Sequence, residues 1–343
     1  MEGYELNATT GITKLRSYKI ICAKLGLIMS IYFLCRILNG ITVSLISGMA
    51  SNLSASTSYV IHAVIAVLLN YLVPIYITAL VFKSFDNYNG RYRELYQKPK
   101  RLARALGSFP AMYGLGYGIA LLTLLLTMLL SRFSLGQSII EDLFRPATLE
   151  PSTDIISTLA MMFILVVVAP IFEEFLVRGI IYDALEPYGS GIAIIISSIL
   201  FGLMHGNMNM LFYTTALGFA LGYIRYATRS IFATTVLHAI INSVAAGMLF
   251  VLSLSEITYY ENKLVNTLFS VYILAMLMLI AIGIIAFIKK IPAIRKYKIE
   301  NIWTEIGAGR KAAIFFLSIP VLIMLVLAFN EHSNYWLLNL IIN

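Results

Sequence analysis

Two adjacent glutamates, Glu173 and Glu174, stand inside the apolar run MMFILVVVAPIFEEFLVRGII. An ionised acid at the centre of a bilayer costs roughly 2.5–3.5 kcal/mol on insertion scales, so a carboxylate there needs a reason. Of the 17 acidic residues, these two lie well inside an apolar run; the others fall in loops or at run ends. Arg178 follows Glu174 by four residues, shares its helix face and can pair with it. Glu173 is turned about 100° away and is left to look elsewhere. An ion pair that fixes helix packing accounts for Glu174 and Arg178, but not for a second carboxylate beside them.

Two of the four histidines also stand in apolar runs: His205 closes SSILFGLMH, and His238 lies in FATTVLHAIIN with Asn242 four residues on and on the same helix face. One such histidine is ordinarily a packing residue. Two histidines, two glutamates and an asparagine on three runs point to a site. The chemistry open to them is amide hydrolysis. A carboxylate in a low-dielectric site is a competent general base for water, and an imidazole beside it can orient that water and pass a proton to the leaving amine. His238 and the Asn242 amide can supply donors to the oxyanion of the tetrahedral intermediate. A zinc site would use the same atoms, with Glu173, His205 and His238 as three ligands and water as the fourth. No HEXXH is present, and the residue types alone do not choose between the two. No Gly-X-Ser-X-Gly elbow or Cys/His pairing offers a rival nucleophile. The two cysteines, Cys22 and Cys35, share the first apolar run as small hydrophobes and suggest neither a disulfide framework nor a metal site.

The elements that must position these groups are membrane helices. The chain is 59% hydrophobic and 12% charged, with a mean hydropathy of +0.85, outside the range of a soluble domain. A bilayer core about 30 Å thick needs roughly 20 apolar residues per helix. Candidate spans lie near 20–48, 57–82, 109–131, 154–185, 190–206, 209–225, 229–253, 265–288 and 312–329, which predicts an all-α, polytopic transmembrane bundle of eight or nine spans. The first run is too long for a signal-peptide core and reads as retained. The net charge of +8 is concentrated in two loops, one holding Lys83, Arg91, Arg93, Lys98, Lys100, Arg101 and Arg104, the other Lys289, Lys290, Arg295, Lys296, Lys298, Arg310 and Lys311. With Lys14, Arg16, Lys19, Arg225 and Arg229 they fall on one side when the spans alternate, so the charge reports a cytoplasmic N-terminus and not a nucleic-acid surface.

No internal repeat divides the chain. Residues 1–108 form N-terminal spans and a basic cytoplasmic loop, with a tyrosine-bearing surface helix expected within 84–108. Residues 109–253 hold the candidate chemistry, with a longer outward loop at 132–153, and residues 254–343 add supporting spans. Depth provides a check on the site. With cytoplasmic span ends near Leu185, Gly191 and Arg229, a rise of 1.5 Å per residue puts Glu173 roughly 18 Å deep, His205 roughly 21 Å and His238 roughly 14 Å. Pro170 should bend the first of these helices and free a carbonyl, while Gly202, Gly206, Gly218 and Gly222 should let neighbours approach.

The motifs EEFLVR at 173–178, FGLMH at 201–205 and HAIIN at 238–242, in this order and within residues 155–250, resemble those of the CAAX protease and bacteriocin-processing family, also called the Abi family. The resemblance implies an all-helical intramembrane endopeptidase that needs no metal. In it, Glu173 and His205 activate water, His238 and Asn242 stabilise the oxyanion, and Glu174 and Arg178 shape the site. It also implies a peptide or protein substrate in or at the membrane; bacterial members are associated with bacteriocin maturation, self-immunity and peptide signals. A non-catalytic scaffold or immunity protein on the same fold is the alternative. A proton-coupled transporter would want inverted repeats or paired broken helices, which the sequence does not display. Composition rich in Ile, Asn, Lys and Tyr points to a bacterial plasma membrane. Arg36 and Asn70, in early spans, read as packing or snorkelling groups, and His62 and His332 as outside the chemistry.

Overall fold

A computed structural model describes residues 11–49, 54–83, 96–100, 102–130, 154–257, 262–296 and 306–332. Among them the regular structure is entirely helical, and the protein is an integral, multi-pass membrane protein. Its elements are α1 (Gly11–Met49), α2 (Ala55–Val67), α3 (Val73–Lys83), α4 (Leu102–Leu106), α5 (Phe109–Leu130), α6 (Ile155–Phe163), α7 (Ala169–Glu174), α8 (Tyr182–Leu185), α9 (Ser190–Leu203), α10 (Met208–Thr228), α11 (Ile231–Ile257), α12 (Lys263–Lys296), α13 (Ala308–Phe316) and α14 (Ile319–His332). The surface helix expected within 84–108 and the loop expected at 132–153 fall largely outside the described residues.

Among the described residues, six helices are long and apolar enough to cross a membrane, and a seventh results if α13 and α14, bent by 70° at their junction, count as one span. The difference from eight or nine lies at 190–206 and 209–225. Helix α9 has 14 residues, so it is about 21 Å long and shorter than a bilayer core. It packs along α10, and the pair encloses Ser197, Ser198, Thr214 and Arg225, all buried. Helices that bury polar side chains inside a bundle need neither the length nor the hydropathy of a lipid-facing span.

Two buried clusters hold the bundle together. One joins Tyr18, Leu25 and Phe33 of α1 to Val177, Ile181, Ile196 and Phe201 and to Phe315 and Met324 of the bent pair. The other joins Ala105 and Met112 to Leu217, Leu221, Leu237 and Ile241. Small residues set the spacing. A Cβ on Gly202 would lie 2.0 Å from Thr215 Oγ1, one on Gly218 3.0 Å from Ser198 Cα and one on Gly222 3.2 Å from Ile194 Cγ2, so these three seat α10 on α9 as expected. Gly206 does something else: at φ 62° it turns the chain between the two helices.

The helix from Asp154 is irregular around the two glutamates. Asp154 caps it, accepting from the Ser157 N–H at 2.8 Å. Wider π-helical turns then occupy Ile164–Val168 and Phe175–Ile181, on either side of the six-residue α7. In the first, the Ala169 N–H reaches back to the Ile164 carbonyl, and the following Pro170 has no N–H to offer the Leu165 carbonyl. The same device recurs at Leu68–Leu72, where Val73 reaches the Leu68 carbonyl and Pro74 follows. The proline at 170 thus leaves a carbonyl without its backbone donor, and the π turn gives its ring room.

Candidate active site

Three elements converge: α7 brings Glu173 and Glu174, the turn after α9 brings His205, and α11 brings His238 and Asn242. Glu174 and Arg178 are fully buried, with Arg178 Nη1 donating to Glu174 Oε1 at 2.8 Å. Arg178 Nη2 donates to the Gly218 carbonyl on α10 at 3.1 Å, and the guanidinium lies 4.4 Å from the centre of the Phe201 ring.

His238 stands between the two glutamates. Its Nδ1 lies 3.0 Å from Glu174 Oε1 and its Nε2 3.8 Å from Glu173 Oε2. A carboxylate already holding Arg178 accepts at Oε1, so Nδ1 of His238 is the protonated nitrogen and Nε2 is presented toward Glu173. His205 is fixed in a similar way: its Nδ1 lies 2.8 Å from the Phe201 carbonyl, which can only accept. Nδ1 therefore carries the proton, and Nε2 of neutral His205 keeps its lone pair for another partner. Phe201 packs edge-on against both imidazoles, with ring centres 4.9 Å from His205 and 5.4 Å from His238. Asn242 Nδ2 donates to the Leu165 carbonyl at 2.9 Å, the carbonyl that Pro170 leaves without its backbone donor.

A cavity of about 260 Å³ opens among these groups. Glu173, His205, His238 and Asn242 all line it; Glu174 and Arg178 do not. The remaining wall is aromatic and aliphatic, with Tyr71, Tyr117 and Tyr213 prominent, Tyr117 and Tyr213 stacking at 5.7 Å. Among the described residues, no three His, Cys, Asp or Glu side chains come together as ligands for one metal ion, so the zinc arrangement of Glu173, His205 and His238 does not fit the geometry.

Phe201, Tyr71 and the Leu165 carbonyl were not singled out by residue type, because an aromatic ring or a main-chain oxygen in an apolar run carries no signal of its own. The same holds for a second polar layer beside the site. Arg225 Nη2 donates to Asp183 Oδ1 at 2.8 Å with both side chains buried, and Arg229 and Tyr182 both reach Glu186. Arg225 and Arg229 carry topology information in the sequence, but Arg225 is a buried partner and not a loop charge.

The segment that holds the site matches known proteins. Residues 155–244 match the family described as Type II CAAX prenyl endopeptidase Rce1-like. Over 92 residues the chain is 34% identical to the "Putative membrane peptidase YdiL" of Bacillus subtilis (strain 168), a stretch covering 26% of this chain and 38% of that protein. This segment is thus similar to the CAAX protease and bacteriocin-processing family. Both comparisons point to a membrane protease in general. The family's matched stretch begins at α6 and ends within α11, so it contains all three motifs and leaves α1–α5 and α12–α14 outside. No solved structure matches the chain.

Proposed function

We propose that this protein is an intramembrane endopeptidase that hydrolyses a peptide bond of a membrane-associated or exported peptide, without a metal, in a bacterial plasma membrane with its N-terminus cytoplasmic. One observation carries the reading: Glu173, His205, His238 and Asn242 open onto one cavity, while Glu174 and Arg178 stand behind it.

In this reading a water donates one hydrogen to Glu173 and the other to the lone pair on His205 Nε2. That leaves its oxygen lone pairs to face the substrate carbonyl. Glu173 takes a proton as the water oxygen bonds to the carbonyl carbon. The oxyanion is met by Nε2–H of protonated His238 and by the Asn242 N–H that Leu165 does not use. When the C–N bond breaks, the proton held by Glu173 goes to the amine, with His205 as relay, and a carboxylic acid and an amine leave. Glu174 holds Nδ1 of His238, and Arg178 balances the Glu174 charge. The groups that touch substrate or water are then Glu173, His205, His238 and Asn242, and the positioning groups are Glu174, Arg178 and Phe201.

The test compares membrane and secreted peptides by mass spectrometry with the wild-type chain and with Glu173→Gln. The substitution should abolish a cleavage product while the protein stays folded and at wild-type abundance. Product that persists with Glu173→Gln in purified protein refutes the assignment of the base. A cellular phenotype that survives alanine at both Glu173 and His205 favours the scaffold alternative.

A further inference from the structure

Glu173 also lines a second and much smaller void, about 10 Å³ and so with room for about one water, together with Tyr32, Asn70, Tyr71, Phe172 and Met204 among others. Asn70 and Tyr71 belong to the π turn between α2 and α3, outside the stretch that matches the protease family. The Asn70 side-chain oxygen is buried and has no hydrogen-bond partner. A buried acceptor left unmatched is costly, by roughly as much as a good hydrogen bond is worth. Glu173 is also an acceptor when ionised, and within the described residues the imidazole of His238 lies 3.8 Å from it, too far for a hydrogen bond. Two of the residues lining the void thus carry an acceptor open to a donor, the buried amide oxygen of Asn70 and the carboxylate of Glu173. A water is the one small molecule that can donate to both at once.

The placement of Asn70 has a local cause. Pro74, which also lines the void, widens the preceding turn into a π-helical one, and the wider turn carries Asn70 and Tyr71 together toward α7, where Tyr71 stacks on Phe172 at 5.6 Å. Tyr71 lines both the void and the main cavity, so it forms part of the partition on either side of which Glu173 is reached.

We propose that Asn70 is a positioning residue for Glu173, holding the carboxylate through a single buried water that donates one hydrogen to Asn70 Oδ1 and the other to Glu173. The early helices are then part of the site: they help to fix the glutamate that also lines the substrate cavity. The role in turnover rests on Glu173 being the base; the hydrogen-bond bridge does not.

The test uses the full-length protein in lipid nanodiscs, with Asn70→Leu, which keeps the volume and removes the polar atoms, and Asn70→Ser, which keeps a polar atom and leaves room for water. The first readout is the rate at which dicyclohexylcarbodiimide modifies Glu173, followed by mass spectrometry of the peptide carrying it, with Glu173→Gln as the blank. The reagent attacks the acid form, and loss of a donor to the carboxylate should speed modification about tenfold in Asn70→Leu, with Asn70→Ser within about twofold of wild type. An unchanged rate in Asn70→Leu, with melting temperature held, overturns the bridge. Should Asn70→Leu fail to fold, density for a water within hydrogen-bond distance of both side chains in wild-type protein supports the bridge, and its absence refutes it. The second readout is turnover of whichever peptide Glu173→Gln spares: Asn70→Leu should lower kcat about tenfold at unchanged KM. If Glu173→Gln is inactive and Asn70→Leu keeps the wild-type kcat, the positioning role falls and the base assignment stands. If Glu173→Gln is active, the base assignment falls and the labelling result still decides the bridge.

Discussion

Arg178 and Glu174 are the pair whose removal should cost most. Both are fully buried, and the guanidinium holds Glu174 at 2.8 Å, the Gly218 carbonyl at 3.1 Å and the Phe201 ring face at 4.4 Å. In Arg178→Met, Glu174 keeps only His238 at Oε1, and the Gly218 carbonyl loses its side-chain donor. Breaking a buried pair by removing one partner costs roughly 3–5 kcal/mol, because an uncompensated charge stays behind. The orphaned carbonyl falls within that figure, since neighbouring losses do not add. Glu174→Gln, which leaves Arg178 as the buried charge, should cost a similar amount. The double variant Glu174→Gln, Arg178→Met removes both charges and should recover about 2–3 kcal/mol of the summed loss. Within the loss that remains, a buried His238 N–H facing an amide accounts for about 1 kcal/mol, beside the Gly218 carbonyl without its side-chain donor and the Phe201 ring without its cation. Unfolding of the four proteins in mixed micelles measures the cycle. Singles that add to the double within about 0.5 kcal/mol would refute the pair as a coupled unit. Turnover separates function from stability: all three variants should be slow, Glu174→Gln and the double variant because His238 loses the carboxylate that orients it, and Arg178→Met because that carboxylate loses the guanidinium that holds it.

Other perturbations follow from the packing. Pro170→Ala supplies an N–H to the Leu165 carbonyl in competition with Asn242 Nδ2, so stability should hold or rise by up to about 1 kcal/mol while kcat falls, and a melting curve beside a turnover assay checks the split. Gly202→Ala puts a methyl 2.0 Å from Thr215 Oγ1 and 2.9 Å from the Leu211 carbonyl oxygen, which should cost about 1–3 kcal/mol by overpacking. Thr215→Ala should rescue it only in part, because Leu211 is met at its main chain; full rescue in a melting assay contradicts this. Lys311, 2% exposed, donates from Nζ to the Tyr188 carbonyl at 2.7 Å, while the Tyr18 hydroxyl donates to the Lys311 carbonyl. Lys311→Met should loosen α13 and α14 from the core, at about 1–3 kcal/mol, with turnover at the wild-type rate wherever the protein remains folded.

Sequence spacing made part of this legible. The four-residue separations of Glu174 from Arg178 and of His238 from Asn242 read directly as shared helix faces, and hydropathy marked the helices that carry them. What it did not carry has a common character. His238 meets Glu174 across 64 residues, Asn242 meets Leu165 across 77, and Arg178 meets Gly218 across 40. These contacts are made by folding and not by periodicity. The π turns add a second obstacle, because each shifts the register that a 3.6-residue period assumes, and the one at Phe175–Ile181 includes Arg178 itself. Asn70 was unreadable for a related reason. In a run of leucines and isoleucines one amide looks like a tolerated defect until Pro74 and its π turn place it beside Glu173.

The prolines connect the membrane to the chemistry. Inside a bilayer a main-chain carbonyl without a donor is expensive, so a helix broken by proline must find another donor from within the bundle. At Leu165 that donor is the Asn242 amide, one N–H of which is occupied and held in a fixed direction by this bond. An amide anchored through one hydrogen presents the other without losing rotamer freedom at the moment a substrate needs it, the preorganisation that makes an oxyanion donor effective. On the proposed mechanism, the repair of the helix and the presentation of an oxyanion donor are one contact. This explains why an irregular helix, and not a straight one, carries the glutamates. A straight α-helix through residues 164–174 would satisfy its own carbonyls and leave Asn242 free to turn.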